Sequence, residues 1–466
     1  MTYENGLFLF HRDLRLQDNV GLAEATRSCK QLFLCFIFTP EQISFRNKFR
    51  SNNSIQFMME SLDDLAKQVG NAGGNLMTFY GKQTEVLNEL VRELKIDYIV
   101  YNKDYSPYAV ARDGLTRELC KKMNVQCSEY EDYYLYPPGS VLTGSGTAYK
   151  KYTPFYNTVV KQPVQGLSRP LIKHIGNGKS ANKYVASIGV LRKRFIKKND
   201  DVLVHGGRNN GLLKLLNASK KQKEYDTTRD FFEKKTTHLS AYIKFGCVSI
   251  REVYHKVKKT FGVGHGIIRE LIWREFFAHV LYCYPEVVGK SFQPRYRHIQ
   301  WQNNETYTKL WKKGETGFPL VDACMREMNT TGYMHNRGRM LVASVLIKVL
   351  LVDWRIGERY FAQQLTDYDI ASNNGNWQGI SGTGVDMKPY FRDMNPWIQS
   401  SKFDSKAEYI RKWVPELKDV TDSDIHNWYD SHSKPEYAKI KYPEPIVDYP
   451  TQKAKMMTMY EKTKYK

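Results

Sequence analysis

Three stretches of the chain set polar side chains into helical, apolar surroundings, and each has a chemistry it could perform. The first is Tyr225-Asp-Thr-Thr-Arg229, followed by Thr236-Thr-His-Leu-Ser240. Hydroxyls at a helix start can cap its orphan N–H groups, or those same N–H groups can hold a diphosphate. Spacing alone does not separate the two. The second is Glu270-Leu-Ile-Trp273-Arg274-Glu275. On a helix Glu270 and Trp273 share a face at i, i+3, and Arg274 joins Glu270 at i+4. This reads as an intrahelical Glu–Arg pair beside a core tryptophan, or as a carboxylate and an aromatic platform facing one cavity. The third is Tyr333-Met-His-Asn336-Arg337-Gly-Arg339-Met340, with Asp367-Tyr-Asp369 and Asn373-Asn-Gly-Asn-Trp377-Gln378. Two arginines, several amides and two carboxylates among apolar helices are costly to bury unpaired. They must pair with one another or with a large polar ligand. His335 by itself fits a hydrogen-bonded structural histidine.

These residues need a scaffold, and the hydrophobic pattern supplies one. Over roughly the first 130 residues, apolar strand-like runs (Gly6–Phe10, Leu32–Phe38, Leu76–Tyr80, Asp97–Tyr101) alternate with helical periodicity at Ser54–Val69 and Thr84–Leu94. Such βαβ succession predicts a doubly wound parallel sheet whose ligands sit beyond the carboxyl ends of its strands. Residues 131–205 break the rhythm. Pro137, Pro138, Gly139, Gly144, Gly146, Pro154, Pro163 and Pro170 predict a long surface connector. From 206 to 466 helical periodicity dominates, as in Gly266–Tyr284, Val321–Asn329 and Arg337–Asp353. This predicts an all-helical domain large enough to enclose a cofactor. Gly262-Val-Gly-His-Gly266 lacks GxGxxG spacing and a preceding strand, so it reads as a turn before a helix.

Composition narrows the class. The 466 residues carry 70 Lys+Arg against 49 Asp+Glu, a net charge of +21, which favours a polyanionic partner such as nucleic acid. A hydrophobic fraction of 41% excludes wholesale disorder. No run is long enough for a membrane span, and His11-Arg12-Asp13 cuts short the apolar N-terminal stretch, against a signal peptide. Seven cysteines with no CxxC spacing suggest core residues of a reducing compartment, cytoplasm or nucleus, in a protein that is not secreted. Neither Cys nor His stands at metal-ligand spacing, so no metal is expected.

Taken together, Trp273-Arg-Glu-Phe276, Met334-His-Asn-Arg337 and Asn373-Asn-Gly-Asn-Trp377-Gln378 are specific. The chain resembles the cryptochrome/photolyase family nearly end to end, from Phe10-His-Arg-Asp-Leu-Arg to Tyr442-Pro-Glu-Pro-Ile-Val-Asp448, and most of all its class I cyclobutane pyrimidine dimer photolyases. The resemblance implies an antenna-type α/β domain over 1–130, the connector over 131–205, and a helical FAD- and DNA-binding domain over 206–466. It implies a U-shaped FAD, active as the reduced anion, with Tyr225, Thr236, Thr237, His238, Leu239 and Ser240 at its phosphates and ribityl chain. Arg274 matches a flavin-proximal arginine. Asp367, Tyr368 and Asp369 match the loop beside the isoalloxazine, with Arg339 paired to Asp367 and Asn373 facing flavin N5. An amide at that position favours repair over signalling. Glu270 and Trp273 match the carboxyl and aromatic wall at the flipped-out dimer. Asn336, Arg337, Met340 and Gln399 match further pocket and strand contacts, and Trp377, Trp354 and Trp301 the chain conducting electrons to oxidised flavin. The implied partner is UV-damaged DNA, met by a monomer; extrusion of the damaged bases is how photolyases reach a lesion.

Two departures qualify the resemblance. Family members of this class usually carry a second tryptophan two residues after Trp377, where this chain has Gly379. Ser106 and Ala109 stand where folate-binding relatives carry polar or acidic contacts, which argues against a folate antenna and leaves a deazaflavin, a second flavin or an empty site. Three alternatives remain. A (6-4) photolyase calls for a histidine near Met340. A cryptochrome photoreceptor often has a long tail, where only a short Lys-rich segment follows Asp448. A general flavin oxidoreductase would need neither the basic charge nor the tryptophan series.

Overall fold

The computed structural model describes residues 2–168, 174–386 and 389–465. Its N-terminal part is a five-stranded, all-parallel sheet in the order β3-β2-β1-β4-β5, built from β1 (Tyr3–Phe10), β2 (Cys29–Phe38), β3 (Leu76–Tyr80), β4 (Tyr98–Asn102) and β5 (Gln126–Tyr130). The strand order reverses direction between β1 and β4, the switch point at which ligands bind in such sheets. Helices cover both faces, which is why the central strands read as unbroken apolar runs. Alternate side chains of β1 divide accordingly. Leu7 and Leu9 pack with Val86, Leu87 and Leu90 of the Gln83–Leu94 helix, while Phe8 and Phe10 turn to the opposite core with Met58 and Leu62. That second core continues into the helical half through Phe245, Ile268 and Phe276, so the two halves share buried apolar surface.

The α/β and all-helical layout matches the expectation, with local differences. β5 carries too little apolar character to announce itself in sequence; its residues are half-buried or exposed, as befits an edge strand. The connector is not bare loop. It contains helices Tyr152–Val159 and Ile188–Phe195, and it returns to the sheet through bridges of Ile175 with Leu32 and Val185 with Phe79. Pro170, one of its predicted markers, lies outside the described residues.

The expected helix Arg337–Asp353 is two elements. Asn336–Ser344 is α-helical, Val345–Val349 forms a π turn, and the next helix, Trp354–Gln364, starts at its Asp353 cap. Leu351 takes a φ of +56°, which no α-helix accommodates. The break was invisible because the run is apolar on every side, so periodicity had nothing to interrupt. Gly266–Cys283 ends one residue before the expected Tyr284. Gly262 closes the preceding helix at a φ of +89° and His265 caps the following one, the turn expected there. Among the described residues no helix is long and apolar enough to cross a membrane, and no cluster of His, Cys, Asp or Glu could hold a metal. The seven cysteines are free thiols, five of them buried.

Candidate functional site

The helix Ile370–Ser381 organises the site. Asp369 caps it by accepting from Ser372 N (3.1 Å), and turns by turn the helix then presents Asn373 and Trp377 to one cavity. That cavity, of about 100 Å³, is also lined by Asn336, Arg339, Met340, Asp367 and Tyr368. Eight of the residues singled out in the sequence therefore meet around one hollow.

Asp367 anchors its polar side. Its Oδ2 accepts from Arg339 Nη2 at 2.9 Å and from Ser240 Oγ at 2.6 Å. Burial pushes this carboxyl up, but Arg339 outweighs it and holds Asp367 below the usual carboxylate range. Its Oδ1, equally buried, has no partner in the protein. Ser240 belongs to the stretch that begins at Thr236, whose Oγ1 lies 3.1 Å from Tyr333 Oη. Thr237 Oγ1 accepts from Leu239 N at 3.4 Å, and Leu239 itself is buried. His238 sits at a φ of +53° with its ring 4.9 Å from that of Tyr333; burial lowers it to about 4, so it is neutral at physiological pH. Tyr225 opens the short helix Tyr225–Thr228 and carries the Arg229 guanidinium 5.9 Å above its ring.

Asp369 faces the α/β half. Arg12, just beyond the end of β1, donates to it at 3.0 Å. Burial would raise Asp369, but Arg12 and Arg274 together hold it at about 2. Arg274 departs from the helical-wheel expectation. It pairs with Glu275 (3.0 Å) and lies 4.4 Å over the Tyr134 ring, while Glu270 pairs with Arg229. The i, i+4 geometry was available, yet the fully buried Glu275 had the greater need of a cation. Glu270 is thus free of the intrahelical pair, and burial raises its carboxyl despite Arg229.

Trp273 stacks face to face on Tyr152 of the connector, with centroids 3.6 Å apart and planes 4° from parallel. Its helix approaches Ile370–Ser381 so closely that a Cβ on Gly375 would lie 2.1 Å from the Phe277 ring, so glycine is required there. On the other flank Arg337 bonds Gln399 Oε1 (3.0 Å) and Asp230 (2.6 Å), 3.9 Å above the Phe403 ring. Asn336 Nδ2 reaches Met340 Sδ at 4.0 Å.

The three chain tryptophans do not form one stack. Trp377 touches Phe361 (4.9 Å) and Trp311 (6.4 Å); Trp354 is buried, with Arg355 over its ring; Trp301 lies 6.1 Å from Tyr460. Sequence reading also missed Tyr152 and Trp311, which carry no motif of their own, and it gave no partner to Arg12 or Arg229, which it named only within longer strings. Ser106, by contrast, caps the helix Pro107–Met123 through Ala109 N (3.3 Å), a use visible in its Ser-Pro dipeptide.

Glu358 was missed as well. It is buried beside Asn373, whose Nδ2 donates to the Glu358 carbonyl at 3.1 Å. Burial raises its carboxyl from 4.5 to about 7, with Asn374 and Arg359 opposing. In the unfolded chain this group ionises first, so its contribution to stability is whole below about pH 4.5 and disappears as pH rises toward about 7. Glu358→Gln is therefore expected to flatten the decline in denaturation midpoint across that window. Parallel pH profiles for the variant and the parent would contradict this.

The residues suit FAD. Hydroxyls of Thr236 and Thr237 offer donors for phosphate or ribityl oxygens, Ser240, whose proton goes to Asp367, offers an acceptor, Arg339 offers a charged donor, and Asp367 Oδ1 is a buried acceptor without a protein partner.

Comparison with known proteins agrees with this layout. Residues 6–171 match the family model described as DNA photolyase, and residues 267–462 match the FAD binding domain of DNA photolyase. The chain is 33% identical to the deoxyribodipyrimidine photo-lyase of Escherichia coli K12, over 98% of both chains. Among solved structures it is similar to the archaeal photolyase of Sulfolobus tokodaii, which holds two FAD molecules (37% identity, TM-score 0.87, 98% of this chain and 100% of that one). It is also similar to a class III photolyase of Agrobacterium tumefaciens (29% identity, TM-score 0.90, 100% and 99%).

Proposed function

The chain belongs to the DNA photolyase family, and on that premise we propose that it repairs cyclobutane pyrimidine dimers in UV-damaged DNA by the action of light. The observation that carries the reading is the cavity where Asn373, Trp377 and the Asp367–Arg339 pair meet, beside Asn336 and Met340. The chemistry that bound, reduced FAD supplies there is light-driven transfer of one electron to the dimer and back. The protein positions and polarises. Arg339 neutralises Asp367, Asn373 offers an amide where negative charge accumulates, and Trp273, held flat by Tyr152, forms a wall for the lesion. Glu270 contributes a carboxyl whose proton affinity burial has raised, suited to bonding a pyrimidine edge. Arg337 and Gln399 stand where they can engage the strand.

In this reading residues 1–130 form the antenna-type domain, 131–205 the connector, and 206–466 the flavin- and DNA-binding domain of an intracellular monomer. The Sulfolobus protein's two FAD molecules support a second chromophore here, at the carboxyl edge of the sheet near Arg12 and Asn102. The amide at position 373 favours repair over a cryptochrome role, and Met340 cannot act as a proton-transferring histidine in the manner of a (6-4) enzyme.

Blue-light treatment of the reduced holoprotein with oligonucleotides carrying each lesion tests the assignment. Cyclobutane dimers should be restored, and the double variant Glu270→Ala/Trp273→Ala should lose that activity. Repair confined to (6-4) products, or none, would overturn it. A Cβ at Gly379 would meet nothing within 4 Å, so space is open where relatives stack a second aromatic wall. Gly379→Trp is accordingly expected to tighten lesion binding by about 1–3 kcal/mol, the worth of one base–aromatic contact. Unaltered affinity in a lesion-DNA titration would show that another side chain fills the gap.

A further inference from the structure

We propose that this chain has a second DNA contact, a platform for an unpaired strand built around Phe45 and set apart from the lesion cavity. The inference rests on the DNA reading above and names a surface which that reading does not use. Among the described residues Phe45 is the most exposed of the large apolar side chains, at 73%, and Phe49 is exposed one helical turn's length further on. Cations alternate with these rings in Phe45-Arg-Asn-Lys-Phe-Arg50.

The loop is tied down at several points, so the rings are presented rather than left loose. Asn47 Nδ2 donates to the Gln42 carbonyl at 3.1 Å, and its Oδ1 accepts from Phe49 N at 2.9 Å. Arg50 donates to the Ile43 carbonyl at 2.9 Å and to the Phe195 carbonyl, with its guanidinium 4.6 Å from the centre of the Phe45 ring. From the other side Gln363 Nε2 donates to the Lys48 carbonyl at 3.0 Å. Phe195 continues the aromatic surface, 6.1 Å from Phe45, and carries the Arg194 guanidinium 5.0 Å over its ring. Lys197 follows, its N–H donating to Asn52 Oδ1 at 3.0 Å, and Arg359 lies 5.8 Å over Phe49. Arg46, Lys48, Arg194, Lys197 and Arg359 are all exposed, and none has a carboxylate partner among the described residues; Asp63 and Asp200 are taken up by Arg192 and Lys198.

Exposed cations around exposed rings suit a single strand of DNA. The cations meet its phosphates, and a ring gives an unpaired base a face to stack on. A duplex hides its base faces and leaves Phe45 unused. The platform is separate from the lesion cavity. The helix Trp354–Gln364 turns Phe361 to the cavity and Arg359, two residues earlier, to Phe49. Residues at i and i+2 do not share a helix face, and a helix is about 10–12 Å across. The nucleotides held at Phe45 are therefore other than those at the cavity.

Fluorescence anisotropy of a labelled, undamaged oligothymidylate of about 16 nucleotides, with FAD-loaded protein in the dark, tests the platform. The protein is first saturated with a short duplex carrying a cyclobutane dimer, which occupies the lesion cavity. One equivalent of oligothymidylate should still bind, and Phe45→Ala should weaken it about fivefold or more, the worth of one base–aromatic stack. Arg46→Ala and Lys48→Ala should each lower the slope of log affinity against log salt by about 0.7. Because these side chains are exposed, all three variants should keep the parent's affinity for the lesion duplex and its rate of photorepair. The platform is overturned if no oligothymidylate binds beside the lesion duplex, or if its affinity and salt slope are the same in all three variants. Preference for oligouridylate over oligothymidylate overturns it too, as does loss of a second chromophore in Phe45→Ala with oligothymidylate binding intact. A protein that ignores the lesion duplex overturns the repair reading; the platform then stands if the free protein binds oligothymidylate in a Phe45-dependent way, and falls if it does not.

Discussion

Replacing Asp132 with alanine is expected to cost about 3–5 kcal/mol of folding stability, the penalty for stranding buried charge. Asp132 is fully buried and bridges two buried arginines, Arg15 Nη2 at 2.6 Å and Arg251 Nη2 at 2.7 Å. Its Oδ1 also accepts from Val20 N at 3.1 Å. Asp18 shares Arg251 at 3.1 Å but cannot neutralise both guanidinium groups. Burial pushes Asp132 up, and the two arginines more than reverse it. The network joins the loop after β1 and Asp132, two residues past β5, to the helix Ile250–Phe261, so its loss should loosen the seam between sheet and helices. Denaturant midpoints measure the effect, and Asp132→Asn, which keeps the shape, should fall between. A midpoint for Asp132→Ala equal to the parent's would mean that water or Asp18 supplies the missing charge.

Arg339→Ala should yield protein largely without FAD. The substitution removes the cation that holds Asp367 ionised and leaves a buried carboxylate facing the cavity with only Ser240 and an unpartnered Oδ1. Losing one member of a buried charged pair commonly costs 2 kcal/mol or more, a factor of about 30 in affinity. Titration of the flavin-free protein with FAD reads this directly, and Arg339→Lys should recover part of it by restoring charge without the guanidinium fork. Parent-like affinity in Arg339→Ala would place the flavin elsewhere.

Much of the candidate site was legible because its signals are local. Asp369, Asn373 and Trp377 recur at i+4 along one helix, so their common face follows from helix geometry alone. Asp367 and Arg339 stood out because unpaired charge is costly in apolar surroundings, and the two do pair. Tyr152 and Trp311 were illegible because nothing near them in the chain marks them, and the strings that contain Arg12 and Arg229 do not name their distant partners. Arg12 meets Asp369 from 357 positions away, and Tyr152 meets Trp273 across a connector. Of the two readings of Glu270 and Arg274, the intrahelical pair does not form, for a related reason. Helical spacing names the neighbours a side chain could reach, and burial decides which of them it takes.

By themselves the residues in order determined the alternation of strand and helix in the first 130 positions, the change to helices after the connector, and the polar helices that line the cavity. These follow from side-chain periodicity and the cost of burying polar groups, which act over a few turns or strands. Only the tertiary structure decided which cation meets which carboxylate, that Tyr152 backs Trp273, and that Trp311 is the tryptophan in contact with Trp377. Those choices depend on how distant elements pack and on which charge is driven deepest from water, and no stretch of sequence contains either quantity.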